Sequence, residues 1–196
     1  SRRQRQMCIR DSHENEIAQS ECCNDKIFAK YWMHNAFLNI DNRKMSKSLG
    51  NFRTVREISE QYDLQVLRFF MLNAHYRSPL NFSADLMEAA KNALERITDA
   101  AANLKDRKAA AQTDTATDAE KELLAQAQEF VKKFEEAMDD DFNTPKAIAA
   151  IFGLINDSKS EIDSLADEDV FAVREFLDDV GFILGIDFDL KDTGSS

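Results

Sequence analysis

Proline and cysteine are scarce in this sequence, and it has no long apolar run. Only 2 of the 196 residues are proline and 31% are charged, a composition typical of a soluble, helix-rich protein. No run approaches the roughly 20 apolar residues that a membrane-spanning helix needs. The 3 cysteines include the adjacent pair Cys22 and Cys23. Because that pair is poorly placed to form a disulfide, the sequence favours a reducing, cytoplasmic setting.

A surplus of negative charge is confined to the second half of the chain. The net charge is −11, but residues 1–100 carry 15 Lys and Arg against 13 Asp and Glu, which leaves +2. Residues 101–196 carry 10 against 23, which leaves −13. Since an acidic surface repels a phosphate backbone, any contact with nucleic acid should use basic features of the first half.

The first twelve residues are basic and fit no other part of the pattern. Four arginines lie in this segment, without the apolar stretch that a secretory signal needs. We interpret residues 1–12 as a non-native segment, with an arginine-rich nucleic-acid arm as the alternative. They are excluded from the fold prediction.

From residue 54 onward, the sequence predicts a succession of helices. Thr54 and Glu57 have the spacing of a capping box, Asp63 can cap a second helix, and Ser83 a third. The second helix has an apolar face, and the third has an apolar stripe at steps of three and four residues. The face consists of Val66, Leu67, Phe70 and Met71, and the stripe of Leu86, Ala89, Ala90, Ala93, Leu94, Ile97, Ala101 and Leu104.

Three further apolar patterns complete the prediction of a mainly α protein. A second capping box at residues 117–120 precedes one helix, Thr144 caps the next, and the last helix comes before Gly181 and Gly185. Residues 107–116 have no apolar pattern and are interpreted as a loop or linker. Residues 84–185 are therefore predicted to form a bundle of antiparallel helices.

A strand-like stretch at residues 36–40 and a turn at residues 41–42 precede a lysine-rich loop. Gly50, just after the loop, permits a sharp bend. A lysine ammonium group reaches phosphate oxygens as a point charge, and serines add hydroxyl donors. This pattern fits a mobile loop that closes over a polyphosphate, although a solvated lysine-rich turn explains the same residues. The loop consists of Lys44, Met45, Ser46, Lys47 and Ser48.

Four segments, in order, resemble one family. Residues 44–48 resemble the K-M-S-K-S loop of class I aminoacyl-tRNA synthetases. Residues 13–20 are similar to H-E-N-E-I-A-Q-S of the cysteinyl-tRNA synthetases, and residues 75–83 to their H-Y-R-S-P-L-N-F-S. Residues 139–145 are similar to their D-D-D-F-N-T-P. Four matches in the right order are far more specific than one, and the resemblance covers roughly residues 13–185.

The resemblance implies a two-step, ATP-dependent reaction of translation. Cysteine is activated to cysteinyl-adenylate as pyrophosphate leaves, and the cysteinyl group then passes to tRNA(Cys). Lys44 and Lys47 are the implied catalytic residues, and the whole of residues 44–48 is the implied ATP-binding loop, with Mg²⁺ as the ATP counterion. The resemblance also implies a monomer in the cytoplasm.

The family's zinc site is only partly represented. It has two cysteines, a histidine and a glutamate, of which Glu16 matches the glutamate. Ser12 stands at the histidine's position, and the matching cysteines would lie upstream of this chain. By itself, the pair of His13 and Glu16 is more often structural than metal-binding. Because zinc favours sulfur and nitrogen ligands in fourfold geometry, we expect an incomplete zinc site.

Two polar segments are candidates for other roles. His75, Tyr76 and Arg77 could contact the tRNA acceptor stem; alternatively they form a helix end in which Arg77 lies near the last carbonyls. The three aspartates of residues 139–141 suggest a metal site at first sight. We interpret them as a solvated loop before the Thr144 cap.

The resemblance also divides the chain. It places the end of a Rossmann-like catalytic domain, with stem-contact helices, at residues 13–83 and a helical bundle of the DALR type at residues 84–190. It implies that the N-terminal catalytic half and the C-terminal anticodon-reading region are missing, so we expect no full activity from this chain alone. Two other functions stay open: the cysteine ligase of mycothiol synthesis, which lacks tRNA as substrate, and a non-catalytic helical interaction module. The intact segments 44–48 and 75–83 favour the tRNA enzyme.

Overall fold

The computed structural model describes residues 2–51, 53–108, 118–161 and 167–188. The chain divides into two compact units, Ser1–His34 and Asn35–Ser196. Among the described residues there are seven α-helices and three short strands, so the prediction of a mainly α protein is confirmed. None of the described helices is long and apolar enough to cross a membrane.

The first unit consists of helix α1 (Arg2–Asn24) and the irregular segment that follows it. The helical backbone begins within residues 1–12, the segment excluded from the fold prediction, and continues through residues 13–24. At its end the Asn24 side-chain amide donates to the Ser20 carbonyl at 3.0 Å. Asp25 then adopts a left-handed conformation, with φ of 50°, and this conformation ends the helix.

The second unit opens on a small sheet. Strands β1 (Leu38–Ile40) and β2 (Arg43–Lys44) form an antiparallel hairpin, and β3 (Leu80–Phe82) pairs parallel to β1, in the order β2-β1-β3. The hairpin turn consists of Asp41 and Asn42, both left-handed, with φ of 47° and 61°. Aspartate and asparagine tolerate that conformation, which a two-residue hairpin turn demands.

Two helices lie between β1 and β3 in the chain, and both have the predicted caps. Helix α2 (Val55–Ser59) starts with the complete capping box of Thr54 and Glu57. Helix α3 (Leu64–Leu72) starts at Asp63, whose carboxylate accepts from the Gln65 amide at 2.6 Å. After β3, the Ser83 hydroxyl accepts from the Leu86 amide at 3.4 Å at the start of the next helix.

Four longer helices form the bundle: α4 (Ala84–Lys108), α5 (Asp118–Asp139), α6 (Thr144–Glu161) and α7 (Asp167–Leu184). The short connection at residues 140–143 makes α5 and α6 an antiparallel hairpin. Helix α3 packs on α4, so the core extends beyond the bundle. The fully buried large side chains are Phe69, Met87, Ile97, Leu104, Ile151, Leu154, Ile155, Leu177, Val173 and Val180. Most of the predicted linker and the start of the capping box at residues 117–120 lie outside the described residues.

The apolar faces of α3 and α4 differ by a residue from those predicted. On α3, Phe69 is fully buried, whereas Met71 is 50% exposed. On α4, Met87 is fully buried, while Leu86 and Ala89 are exposed. The buried stripe of α4 therefore begins at Met87 and keeps the predicted steps of three and four from there.

The predicted cap of α6 is wrong by one residue. The structure starts α6 at Thr144 itself, and the Asn143 side chain accepts from the Lys146 amide at 3.3 Å, so Asn143 is the cap. The Thr144 hydroxyl instead donates to the Leu72 carbonyl at 2.6 Å. Helix α7 continues through Gly181 and ends before Gly185, whose φ is 65°.

Candidate functional site

The lysine-rich loop has a rigid base. Lys44 is the last residue of β2, so the hairpin holds one end of the loop. A short 3-10 turn spans Lys47–Leu49, and Gly50 follows with φ of 67° and no atom within 4 Å of the position that a Cβ would occupy. The structure thus places residues 45–48 between a strand and a glycine, with the Lys44 and Ser48 side chains exposed at the two ends of the loop.

Asn51 connects the two ends of this loop. Its side-chain carbonyl accepts from the Ser46 amide at 2.9 Å, and its side-chain amide donates to the Lys44 carbonyl at 3.2 Å. No sequence pattern points to Asn51, because a side chain that bonds backbone atoms five and seven residues earlier leaves no periodic signal. The loop conformation therefore depends on a residue outside the K-M-S-K-S segment.

The described side chains of the loop have local partners. The Ser46 and Ser48 hydroxyl oxygens lie 3.2 Å apart, and the Ser46 hydroxyl accepts from the Leu49 amide at 3.3 Å. The Lys44 ammonium lies 4.9 Å from the centre of the Phe37 ring, a cation–π arrangement at the loop's base. The Met45 side chain is half-buried, whereas the side chain of Lys47 lies outside the described part of the chain.

The second candidate segment, His75 to Arg77, contacts the acidic corner between α5 and α6. The Tyr76 hydroxyl donates to one Asp141 carboxylate oxygen at 2.6 Å, and Arg77 Nε lies 2.7 Å from the other. His75 Nε2 is 3.9 Å from the same carboxylate. Residues 140 and 141 form an exposed turn, as the interpretation of a solvated loop expects, and Asp141 is in addition a partner of this segment.

The contact with Asp141 also shows where Arg77 lies. Its guanidinium group donates to the Tyr76 hydroxyl at 2.9 Å and to Asp141, rather than to helix-end carbonyls. The hydrogen bond from Tyr76, followed by that from Arg77, lowers the pKa of the Asp141 carboxyl. The hydrogen bonds from Arg77 to Tyr76 and to Asp141 in turn raise the pKa of the Arg77 guanidinium. The three residues thus form one charged, hydrogen-bonded cluster that joins segments 64 positions apart.

Known protein families match both the region of the lysine loop and the region of the last helices. The family model of the tRNA synthetases class I (C) catalytic domain matches residues 9–92, and that of the DALR domain matches residues 133–189. The chain is 59% identical over 162 residues to the cysteine–tRNA ligase of Lachnospira eligens and 49% identical over 176 residues to that of Bacillus velezensis. The chain belongs to the cysteine–tRNA ligase family.

This chain matches only part of the length of its relatives. The two matches cover 78% and 89% of this chain but 34% and 37% of the relatives, so the chain spans about a third of the curated relatives it matches. A LeuRS of Agrobacterium radiobacter, solved in a ternary complex with tRNA and LeuAMS, aligns with a TM-score of 0.60 at 22% identity. That alignment covers 73% of this chain and 19% of that one, and it supports the fold alone.

The zinc site that the cysteine–tRNA ligase family implies does not fit the described residues. Glu16 is exposed on α1, and Cys22 and Cys23 are exposed, free thiols. His13 Nδ1 is buried without a hydrogen-bond partner, but the ring stacks on His34 at 4.9 Å between centres. Among the described residues, no three His, Cys, Asp or Glu side chains are grouped to hold a metal ion. The donors required for fourfold coordination are therefore not assembled.

We accordingly expect this chain to retain less than stoichiometric zinc after dialysis. One carboxylate without sulfur or nitrogen partners cannot hold the ion tightly. Elemental analysis of the dialysed chain measures the retained metal, with Glu16→Ala as the matched control. One zinc per chain that is lost in Glu16→Ala would contradict this expectation and would show that other side chains replace the missing ligands.

Proposed function

We propose that the protein to which this chain belongs is an ATP-dependent cysteine–tRNA ligase. In the first step it joins cysteine to AMP and releases pyrophosphate, and in the second it passes the cysteinyl group to tRNA(Cys). The observation that carries this proposal is the presence, in one chain, of a catalytic-domain match with the lysine loop and a DALR-domain match. The cytoplasm as its location and a monomer as its state belong to the same proposal.

In this proposal, the loop at residues 44–48 stabilises the triphosphate. Phosphoryl transfer gains most from positioning and from charges placed where negative charge develops. Lys47 follows Lys44, the last residue of β2, by three residues and so lies away from the anchored end of the loop. Its ammonium is assigned to the departing pyrophosphate, together with Mg²⁺ bound to the ATP. Lys44, over the Phe37 ring, supports it from the loop's anchored end. Met45, Ser46 and Ser48 shape the ATP-binding surface, and Glu16 is the remaining family zinc ligand.

The turn at residues 75–77 is assigned to the tRNA. It lies in the first half of the chain, where residues 13–100 carry 11 Lys and Arg against 12 Asp and Glu and are close to neutral at −1, whereas the second half carries −13. A phosphate backbone is attracted to basic side chains in exposed positions, and the Arg77 side chain is 64% exposed. His75 and Tyr76, whose rings stack at 4.9 Å, supply the neighbouring surface for the acceptor stem.

The choice of acceptor tests this proposal against the cysteine ligase of mycothiol synthesis. Both enzymes activate cysteine with ATP, so only the second substrate separates them. The full-length protein, loaded with cysteinyl-adenylate, is mixed with tRNA(Cys) or with an amino-sugar, and the cysteine transferred to each is counted. Transfer to tRNA supports the proposal, and transfer to the amino-sugar alone would replace it.

Asn51→Ala should slow cysteinyl-adenylate formation in the full-length protein. The change removes the two hydrogen bonds to Ser46 and Lys44, each contributing about 1 kcal/mol, so we expect a loss of about 5- to 30-fold. Asn51→Asp keeps the acceptor for the Ser46 amide and should lose less. Single-turnover adenylate formation measures both variants. If both matched the unmutated rate, Asn51 would have no part in holding the loop.

A further inference from the structure

The corner between α5 and α6 has an unusual backbone. Asp141 and Phe142 are both left-handed, with φ of 55° and 54°, although neither is glycine. That conformation is uncommon for aspartate and more so for phenylalanine, and it persists only where surrounding contacts hold it. Backbone hydrogen bonds close the corner, from the Phe142 amide to the Met138 carbonyl at 3.1 Å and from the Asn143 amide to the Ala137 carbonyl at 2.9 Å.

The corner is attached to the 75–77 turn at two places. The Thr144 hydroxyl bonds the carbonyl of Leu72, the last residue of α3. Asp141 bonds Tyr76 and Arg77, which follow Leu72 by four and five residues. The turn is thus held both where it leaves α3 and at its tip, and each contact comes from the bundle.

The carboxylate of Asp141 fixes the direction of the Arg77 side chain. Its two oxygens engage Nε at 2.7 Å and Nη2 at 3.1 Å of the guanidinium, a two-point geometry that sets the orientation of the whole plane. Nε also donates to the Tyr76 hydroxyl. The edge that carries Nη1 is not used by these bonds, and it belongs to a side chain that is 64% exposed.

We propose that Asp141 is a positioning residue that orients Arg77, with Tyr76, so that the 75–77 turn presents one fixed guanidinium edge to a phosphate of the tRNA backbone. This inference rests on the proposed function. It gives a negatively charged residue a favourable role in binding a polyanion. Exposed arginine side chains lose rotamer freedom when they bind phosphate, and a side chain already held by Asp141 loses less.

The alternative role of Asp141 is simple repulsion of RNA. Positioning and repulsion predict opposite changes in tRNA affinity when Asp141 is replaced. If Asp141 only repelled RNA, removing its charge would strengthen binding, as would removing the charge of its neighbour Asp140. If Asp141 positions Arg77, Asp141→Ala weakens binding although it removes a negative charge. Asp140 is exposed, and no side-chain bond joins it to the described part of the turn, so Asp140→Ala is the matched control.

The experiment measures binding of an unmodified tRNA(Cys) transcript to the full-length protein at several salt concentrations. We expect Asp141→Ala to weaken binding about 3- to 10-fold and to lower the salt slope by about one, because one phosphate contact is lost. Asp141→Asn keeps one acceptor oxygen for Tyr76 and Arg77 but loses the second, so its loss of binding should be smaller than that of Asp141→Ala. Asp140→Ala should bind as well or slightly better.

Two further readouts separate positioning from general damage. The ATP–pyrophosphate exchange rate of all three variants should equal that of the unmutated protein, since no bond among the described residues joins the side chains of the cluster to the lysine loop. Amide exchange at Ser78 and Ala36, which bond the His75 and Tyr76 carbonyls, should be faster in Asp141→Ala alone. Binding of tRNA by Asp141→Ala as tight as in the unmutated protein, or tighter, would overturn the inference. Failure of the unmutated protein to bind tRNA would instead overturn the proposed function.

Discussion

In the full-length protein, Lys47→Ala slows cysteinyl-adenylate formation by about 30- to 1,000-fold, because removing a charged contact made in the transition state costs roughly 2–4 kcal/mol. The ammonium of Lys47 is assigned to the charge that develops as pyrophosphate departs. An interaction of this kind changes turnover more than apparent affinity for ATP. Transfer from preformed adenylate to tRNA should be far less affected, since the pyrophosphate has already left.

Single-turnover measurement of each step separates these effects. Lys44→Ala should show a smaller defect in the same step, because its ammonium lies at the anchored base of the loop, over Phe37. Lys132→Ala removes an exposed lysine from α5 and should leave both steps unchanged. If Lys47→Ala formed adenylate at the unmutated rate, the lysine loop would be no more than a solvated turn.

Phe69→Ala should lower the free energy of unfolding of the 196-residue chain by about 3–5 kcal/mol, the usual cost of emptying a buried phenylalanine site. Phe69 has no exposed surface and joins α3 to the core that α4 shares with the bundle. Phe182→Ala is the control, because Phe182 is 88% exposed and its loss should cost less than about 0.5 kcal/mol. Equal, small changes in urea unfolding would show that α3 is not part of the core.

The sequence predicted local features well because local chemistry determines them. The capping box of Thr54 and Glu57 and the Asp63 cap each depend on atoms a few residues apart. The left-handed turn at residues 41–42 likewise follows from the residue types present. These features place the lysine loop after a hairpin without reference to the rest of the chain.

The choice of buried face on α3 could not be settled in the same way. Helix α3 has seven apolar residues among its nine, so several faces fit the pattern equally, and only packing on α4 selects Phe69 over Met71. On α4, Leu86 and Met87 are adjacent and both apolar, and the neighbours again decide. Periodicity gives the steps of a stripe, whereas tertiary contacts give its starting point.

The contacts that organise the candidate site are mostly between distant residues. Asp141 meets Tyr76 and Arg77 across 65 and 64 positions, and nothing in a run of three aspartates indicates which of them has a partner. Asn51 bonds backbone atoms of the loop. Because asparagine side chains in turns commonly bond nearby backbone groups, the residue type alone does not show which atoms Asn51 bonds. The contacts of Asp141 and Asn51 are therefore visible only in the three-dimensional structure.

The activity proposed for the protein to which this chain belongs is the attachment of cysteine to tRNA(Cys) at the expense of ATP. Its most direct test is the plateau of labelled cysteine on a tRNA(Cys) transcript incubated with the full-length protein, with and without ATP, and with labelled serine in a parallel reaction. We predict ATP-dependent charging of most of the tRNA with cysteine. An uncharged transcript in the presence of ATP and cysteine, with a correctly folded protein, would contradict the claim.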